Sequence, residues 1–102
     1  MKNKTIKEWQ KIITENANKK FPDNFRWTEQ DRFISIVNQL SDVGTAIQVE
    51  QGLRKKKDEN HNDLYNPDHR IAALIADIFI LTEMRGTDLE KELRKVLKWF
   101  KD

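Results

Sequence analysis

Three glycines and two prolines are all that interrupt this 102-residue chain. So few turn-formers cannot punctuate a many-stranded sheet, so the chain must run in a small number of long helices. Apolar spacing agrees. Ile6, Trp9, Ile12 and Ile13 form one helical stripe, predicting a first helix from about Thr5 to Lys19. Phe21-Pro22-Asp23 ends it, because a residue preceding proline is pushed out of the helical region. Asp23 to Arg26 reads as a connector. A second helix is predicted from a Thr28 N-cap, with Glu29 and Asp31 in its first turn, to Glu50 or Gln51, with Gly52 as the stop. Phe33, Ile36, Val37, Leu40, Val43 and Ile47 recur along it. Gly44 lies inside this helix at a cost of about 1 kcal/mol relative to alanine, so a closely packed neighbour is expected there.

The stretch from Leu53 to Asn66 is the most polar and reads as a helix end passing into a surface loop. Asn66-Pro67-Asp68 is a start signal, with a capping Asn and proline at the first helical position. The third helix is predicted to run from Pro67 to Arg85 and stop at Gly86. Thr87-Asp88-Leu89-Glu90 has the form of a capping box, with Thr87 as the cap and Glu90 three residues later. A fourth helix then carries Leu89, Leu93, Val96, Leu97 and Phe100 on one face. Together these elements make a single all-α, four-helix domain over residues 1–102.

Composition narrows the function classes. Lys and Arg number 19 against 17 Asp and Glu, so bulk charge gives no reason to expect a nucleic-acid or membrane partner. The absence of cysteine excludes disulfides, thiolate metal sites and cysteine nucleophiles. The first eight residues have no apolar core and do not read as a signal peptide. The apolar run from Ile71 to Leu81 is about half the length needed to span a bilayer, and it contains Asp77. A cytoplasmic domain is expected.

That run makes the third helix apolar nearly all round, which implies burial on every side. With only 37% hydrophobic residues, a chain of this size covers such a helix more easily with a second copy. A homodimer or a dimer of dimers through helices two and three is therefore expected, completing the core. Asp77, in mid-helix, needs a cation, a metal or several hydrogen-bond donors. On helix two, Asn38, Gln39 and Asp42 are related by three- and four-residue spacings and converge on one patch. Oxygen ligands on two such helices could hold Mg²⁺, through Asp42 and Asp77 with help from Asn38 and Gln39. Alternatively, the patch is a solvated edge and Asp77 pairs with an Arg or Lys. Spacing leaves both open.

Over roughly residues 27–98 the sequence resembles the MazG-like all-α nucleotide pyrophosphohydrolases. Trp27 through Ile47, with Asn38-Gln39-Leu40-Ser41-Asp42 at its centre, looks like that family's first motif helix. Ala73 through Leu81, followed by Arg85-Gly86-Thr87-Asp88-Leu89-Glu90, looks like its second. The resemblance implies a four-helix MazG-like bundle and Mg²⁺ held by the motifs E-E-x-x-E and E-x-x-D. It also implies cleavage of a nucleoside triphosphate to monophosphate and pyrophosphate. Here Asn38, Gln39 and Leu74 stand at three of the five acidic positions, and only Asp42 and Asp77 keep a carboxylate. On helix four, Val96 and Phe100 occupy places where the family often carries a Lys and an Asn. Amides supply oxygen but no charge, so the metal site implied here is a weakened one.

Other signals are thinner. Trp27, at the entry to helix two, could stack on a base or serve as a hydrophobic staple. Arg54 and Lys55, in a basic run ending at Lys57, could touch nucleotide phosphates or form a solvated helix end. Asp58-x-Asn60-x-Asn62 superficially resembles a calcium loop, but Asp63 stands where that loop needs Gly and His69 where it needs Glu. His61 and His69 have no partner cluster. Two principal functions follow: a pyrophosphohydrolase-like enzyme with Mg²⁺, or a catalytically inactive helical binding module on the same scaffold. A third is a small nucleic-acid-associated regulator using the Arg54–Lys57 run.

Overall fold

The computed structural model describes residues 3–56 and 62–102. Among the described residues there are four α-helices and no strand: α1 (Ile6–Lys20), α2 (Glu29–Glu50), α3 (Pro67–Met84) and α4 (Leu89–Lys101). Short 3-10 turns at Pro22–Arg26 and Asn62–Tyr65 precede α2 and α3. Asp58, Asn60 and His61 of the calcium-like stretch, and Lys57 of the basic run, lie outside the described residues. No helix among those described is long and apolar enough to cross a membrane.

Local chemistry accounts for the helix ends. Thr5 caps α1 reciprocally: its hydroxyl accepts from the Glu8 amide at 3.1 Å and the Glu8 carboxylate accepts from the Thr5 amide at 3.2 Å. Thr28 and Asp31 repeat the arrangement at α2. At α3 the Asn66 carbonyl oxygen accepts from the amides of Asp68 and His69, and Pro67 takes the first helical position, where no amide is needed. Gly52 and Gly86, at φ 76° and 66°, close α2 and α3. Each is followed by an amide that reaches back: Leu53 to the Gln48 carbonyl and Thr87 to the Thr82 carbonyl, both at 2.8 Å.

The start of α4 differs from expectation. Its cap is Asp88, whose carboxylate accepts from the Lys91 amide at 3.1 Å. Thr87 is one residue too early, because its amide is engaged in closing α3 and its carbonyl accepts from the Gln10 side chain. Lys91 then stands at the third helical position, so no reciprocal box forms.

α3 is the central helix, flanked by α2 and α1, while α4 touches α1 only lightly. α2 runs antiparallel to α3. Glu29, Arg32 and Asp42 face Arg85, Asp77 and Arg70 in that order. Gln10 is the largest fully buried side chain, and its amide donates to the Thr82 hydroxyl at 2.7 Å and the Thr87 carbonyl at 3.2 Å. It ties α1 to the α3–α4 turn. Among the described residues the buried apolar ones are Val43, Ala46 and Ile80. α3 is thus not enclosed by its own chain: Ile71 and Ile75 are exposed. Nor do the described residues supply the neighbour expected at Gly44, where a Cβ would meet nothing within 4 Å.

Candidate functional site

Arg32, Ser35, Gln39, Val43 and Ala46 recur every three or four residues on the face of α2 that meets α3. The apolar half of this stripe makes the core. The polar half meets Asp77, and there the helices part around a cavity of about 570 Å³, walled also by the end of α1 and the turn at 22–26. That volume suits a small-molecule ligand.

Its floor is a closed polar network. Arg32 Nη1 donates to Asp77 Oδ1 at 2.7 Å, and Ser35 Oγ donates to Asp77 Oδ2 at 2.6 Å. Both charged side chains are 7% exposed, so the pairing is desolvated and each charge depends on the other. Trp27 covers the arginine, with the guanidinium carbon 4.4 Å from the ring centroid. Trp27 precedes the Thr28 cap and Arg32 is the fourth helical residue. These are the positions of a hydrophobic staple, here made by a ring and a cation. Among the described residues, the buried atoms Arg32 Nε and Gln39 Oε1 have no hydrogen-bond partner. Phe21, Lys20, Asp23 and Asn24 line the approach.

The residues expected to hold Mg²⁺ are not gathered at one point. Asp77 and Gln39 line this cavity. Asn38 lines a second one with Trp27, Asp31, Ile34 and Ser35. Asp42 lines neither and lies 3.7 Å from Arg70. Mg²⁺ demands an octahedron of oxygens at about 2.0–2.1 Å. In this arrangement Asp77 already spends one oxygen on a guanidinium and the other on a hydroxyl. The four residues as placed do not fit a divalent cation. Among the described residues no group of three or more His, Cys, Asp or Glu could hold a metal ion.

The nucleotide candidates also separate. Trp27 belongs to both cavities, but Arg54 and Lys55 lie beyond the end of α2 and line neither. Arg54 instead donates to the Thr45 hydroxyl at 3.2 Å. His69 sits in the first turn of α3, where its amide donates to Asn66. In the second cavity the amide and hydroxyl of Thr28 hold the Asp31 carboxyl below the usual carboxylate range.

The sequence did anticipate an arginine or lysine on Asp77 but not which one. Arg32, Ser35 and Gln10 are the functional or structural residues that pattern reading passed over. One signal was available for Arg32: it is in phase with Gln39, Val43 and Ala46, so a cation stood on the core-facing stripe opposite the lone acid of α3.

The chain matches no protein-family model, no curated protein and no solved structure.

Proposed function

We propose that the chain is a MazG-like helical domain working as a metal-independent binding module, with a small planar ligand of nucleobase or nucleoside kind held in the cavity beneath Trp27. The observation that carries this is the Arg32–Asp77–Ser35 network. A permanent protein cation stands on the carboxylate that the resembled family would give to Mg²⁺. Arg32 cannot be deprotonated in a protein, and together with Ser35 it engages both oxygens of Asp77. Such a floor favours recognition over hydrolysis. Phosphate-ester cleavage needs a divalent ion or several free cations to stabilise developing charge, and here one guanidinium is already neutralised.

The cavity offers what a flat heteroaromatic ligand requires. Trp27 and Phe21 supply aromatic surface. Arg32 and Gln39 line the same cavity, and among the described residues Arg32 Nε and Gln39 Oε1 are buried without a hydrogen-bond partner, so a small side-chain adjustment would let a ligand edge bearing an acceptor and a donor satisfy both. The same proposal makes the chain a homodimer or a pair of dimers, in keeping with the apolar residues its helices leave exposed.

The experiment is a paired assay on the wild-type chain. Pyrophosphate release is followed with Mg²⁺ over a panel of canonical and modified nucleoside triphosphates. Nucleosides and free bases are titrated in parallel by calorimetry. Expected are no pyrophosphate, no Mg²⁺-dependent thermal shift, and binding that Trp27→Leu removes. Pyrophosphate release that is lost in Asp77→Asn would overturn the proposal and restore the hydrolase. Failure of every nucleoside and base to bind would refute the ligand assignment.

A further inference from the structure

The most uneven feature of the molecule is how much surface, much of it on large apolar side chains, it leaves uncovered. The chain exposes 8213 Å², whereas a compact monomer of 12.2 kDa exposes about 6,000 Å². Its radius of gyration is 15.7 Å, against about 13 Å for a compact chain of this length. The excess, about 2,000 Å² per chain, would amount to about 4,000 Å² across a dimer, the size of an obligate subunit interface.

This surface has a pattern. Along α2, Phe33, Val37, Leu40, Gly44 and Ile47 follow alternating steps of four and three residues, the spacing of a coiled-coil seam. All five are exposed, Leu40 at 60%. Along α4, Leu89, Leu93, Val96 and Phe100 follow the same steps, with Phe100 70% exposed. The seams are similar in length, about 21 and 16 Å at 1.5 Å per residue. Within one chain they are not packed on each other.

Charge distinguishes the possible pairings. α2 carries four acidic residues, of which Glu29 and Asp42 already lie beside Arg85 and Arg70 of the same chain, and a single cation, Arg32, which is buried on Asp77. α4 carries five basic residues and two acidic ones. Two α2 helices, or two α4 helices, would bring like charges together, whereas α2 against α4 brings opposite ones. Gly44 fits the same pairing. A glycine in mid-helix is unfavourable, and nothing in its own chain approaches it, but it leaves room for a helix of another chain to come close.

We infer that two copies of this chain associate reciprocally, with α4 of each lying in the α2 seam of the other. The partner is a second copy, and the exchange closes on itself about a two-fold axis. It explains why α4 touches so little of its own chain, since a free 13-residue helix is marginal in water without an apolar surface to rest on. The inference rests on the self-association of the proposed function and assigns the contact to α2 and α4, in place of the α2 and α3 contact expected from the sequence. It does not depend on what the Trp27 cavity binds.

The absence of cysteine makes the test clean. Leu40→Cys and Val96→Cys are prepared as separate single variants, mixed, allowed to exchange and oxidised, and each is also oxidised alone. Light scattering of the wild-type chain should give about twice the 12.2 kDa chain mass at micromolar concentration. The mixture should yield a Leu40→Cys to Val96→Cys disulfide that neither variant forms with itself. Phe100→Glu should halve the mass while keeping the helical circular dichroism of α1 to α3. A wild-type monomer, whatever else it binds, overturns the inference. So does efficient cross-linking of Leu40→Cys to itself, or a Phe100→Glu chain that remains dimeric.

Discussion

Arg32→Met is the most informative single substitution, because it removes the cation and leaves the shape of the side chain nearly intact. Asp77 would then be an ionised carboxylate, 7% exposed, with Ser35 as its remaining hydrogen-bond donor. Removing one partner of a buried ion pair costs about 3–5 kcal/mol, far above the effect of an exposed pair. The stacking of Trp27 on the guanidinium adds about 0.5–2 kcal/mol to the same loss. For a domain of this size the pair alone corresponds to a fall in Tm of between about 12 and 40 °C. Arg32→Met with Asp77→Leu removes both charges together and should recover most of the stability, since no uncompensated carboxylate remains. Urea unfolding followed by helical circular dichroism, at fixed protein concentration because the proposed dimer would make stability concentration-dependent, measures both effects. A loss below about 1 kcal/mol in Arg32→Met would mean that the pair is solvated. A double variant no more stable than the single one would refute the desolvation reasoning itself.

Two further outcomes follow from the helix ends. Asp88→Ala should destabilise the chain by about 1 kcal/mol through loss of the α4 cap, whereas Thr87→Ala should not remove a cap, because the Thr87 side chain is not the one that accepts from Lys91; equal losses in thermal unfolding would contradict the assignment. Glu8 and Asp31 are both held below the ordinary carboxylate range by the amides and hydroxyls of Thr5 and Thr28. Their folded forms therefore lose protons more readily than their unfolded forms. The stability they contribute is full above the ordinary range and drains away as pH falls through it into the lowered folded values. Tm measured on acidification should fall less steeply in Thr5→Ala and Thr28→Ala chains than in the wild type.

The helices themselves were written locally. Thr5, Thr28 and Asn66 offer the right acceptor just before each apolar stripe, and Gly52 and Gly86 release the chain at each end, so α1, α2 and α3 fall within a residue or two of expectation. The cap of α4 escaped because two adjacent residues, Thr87 and Asp88, are both good caps. The choice between them depends on Thr82 and Gln10, which are distant in sequence or belong to another helix.

The identity of the cation on Asp77 is the clearest case of a tertiary decision. The sequence by itself determined that an acid sits in the middle of an apolar helix and must be compensated. It did not determine by what, since a metal shared with Asn38, Gln39 and Asp42 and an internal guanidinium satisfy the same local requirement. The antiparallel register of α2 on α3 brings Arg32 level with Asp77 and leaves Asp42 beside Arg70, nearly three turns further along α2. Periodicity places a residue on a face, but the register between two helices sets which residue it meets, and that register comes from packing. The scarcity of glycine and proline therefore determined helices and their number, and the capping residues fixed every end but the start of α4. Packing alone decided that the acid in the third helix answers to an arginine, and that the apolar stripes of α2 and α4 are left facing outward.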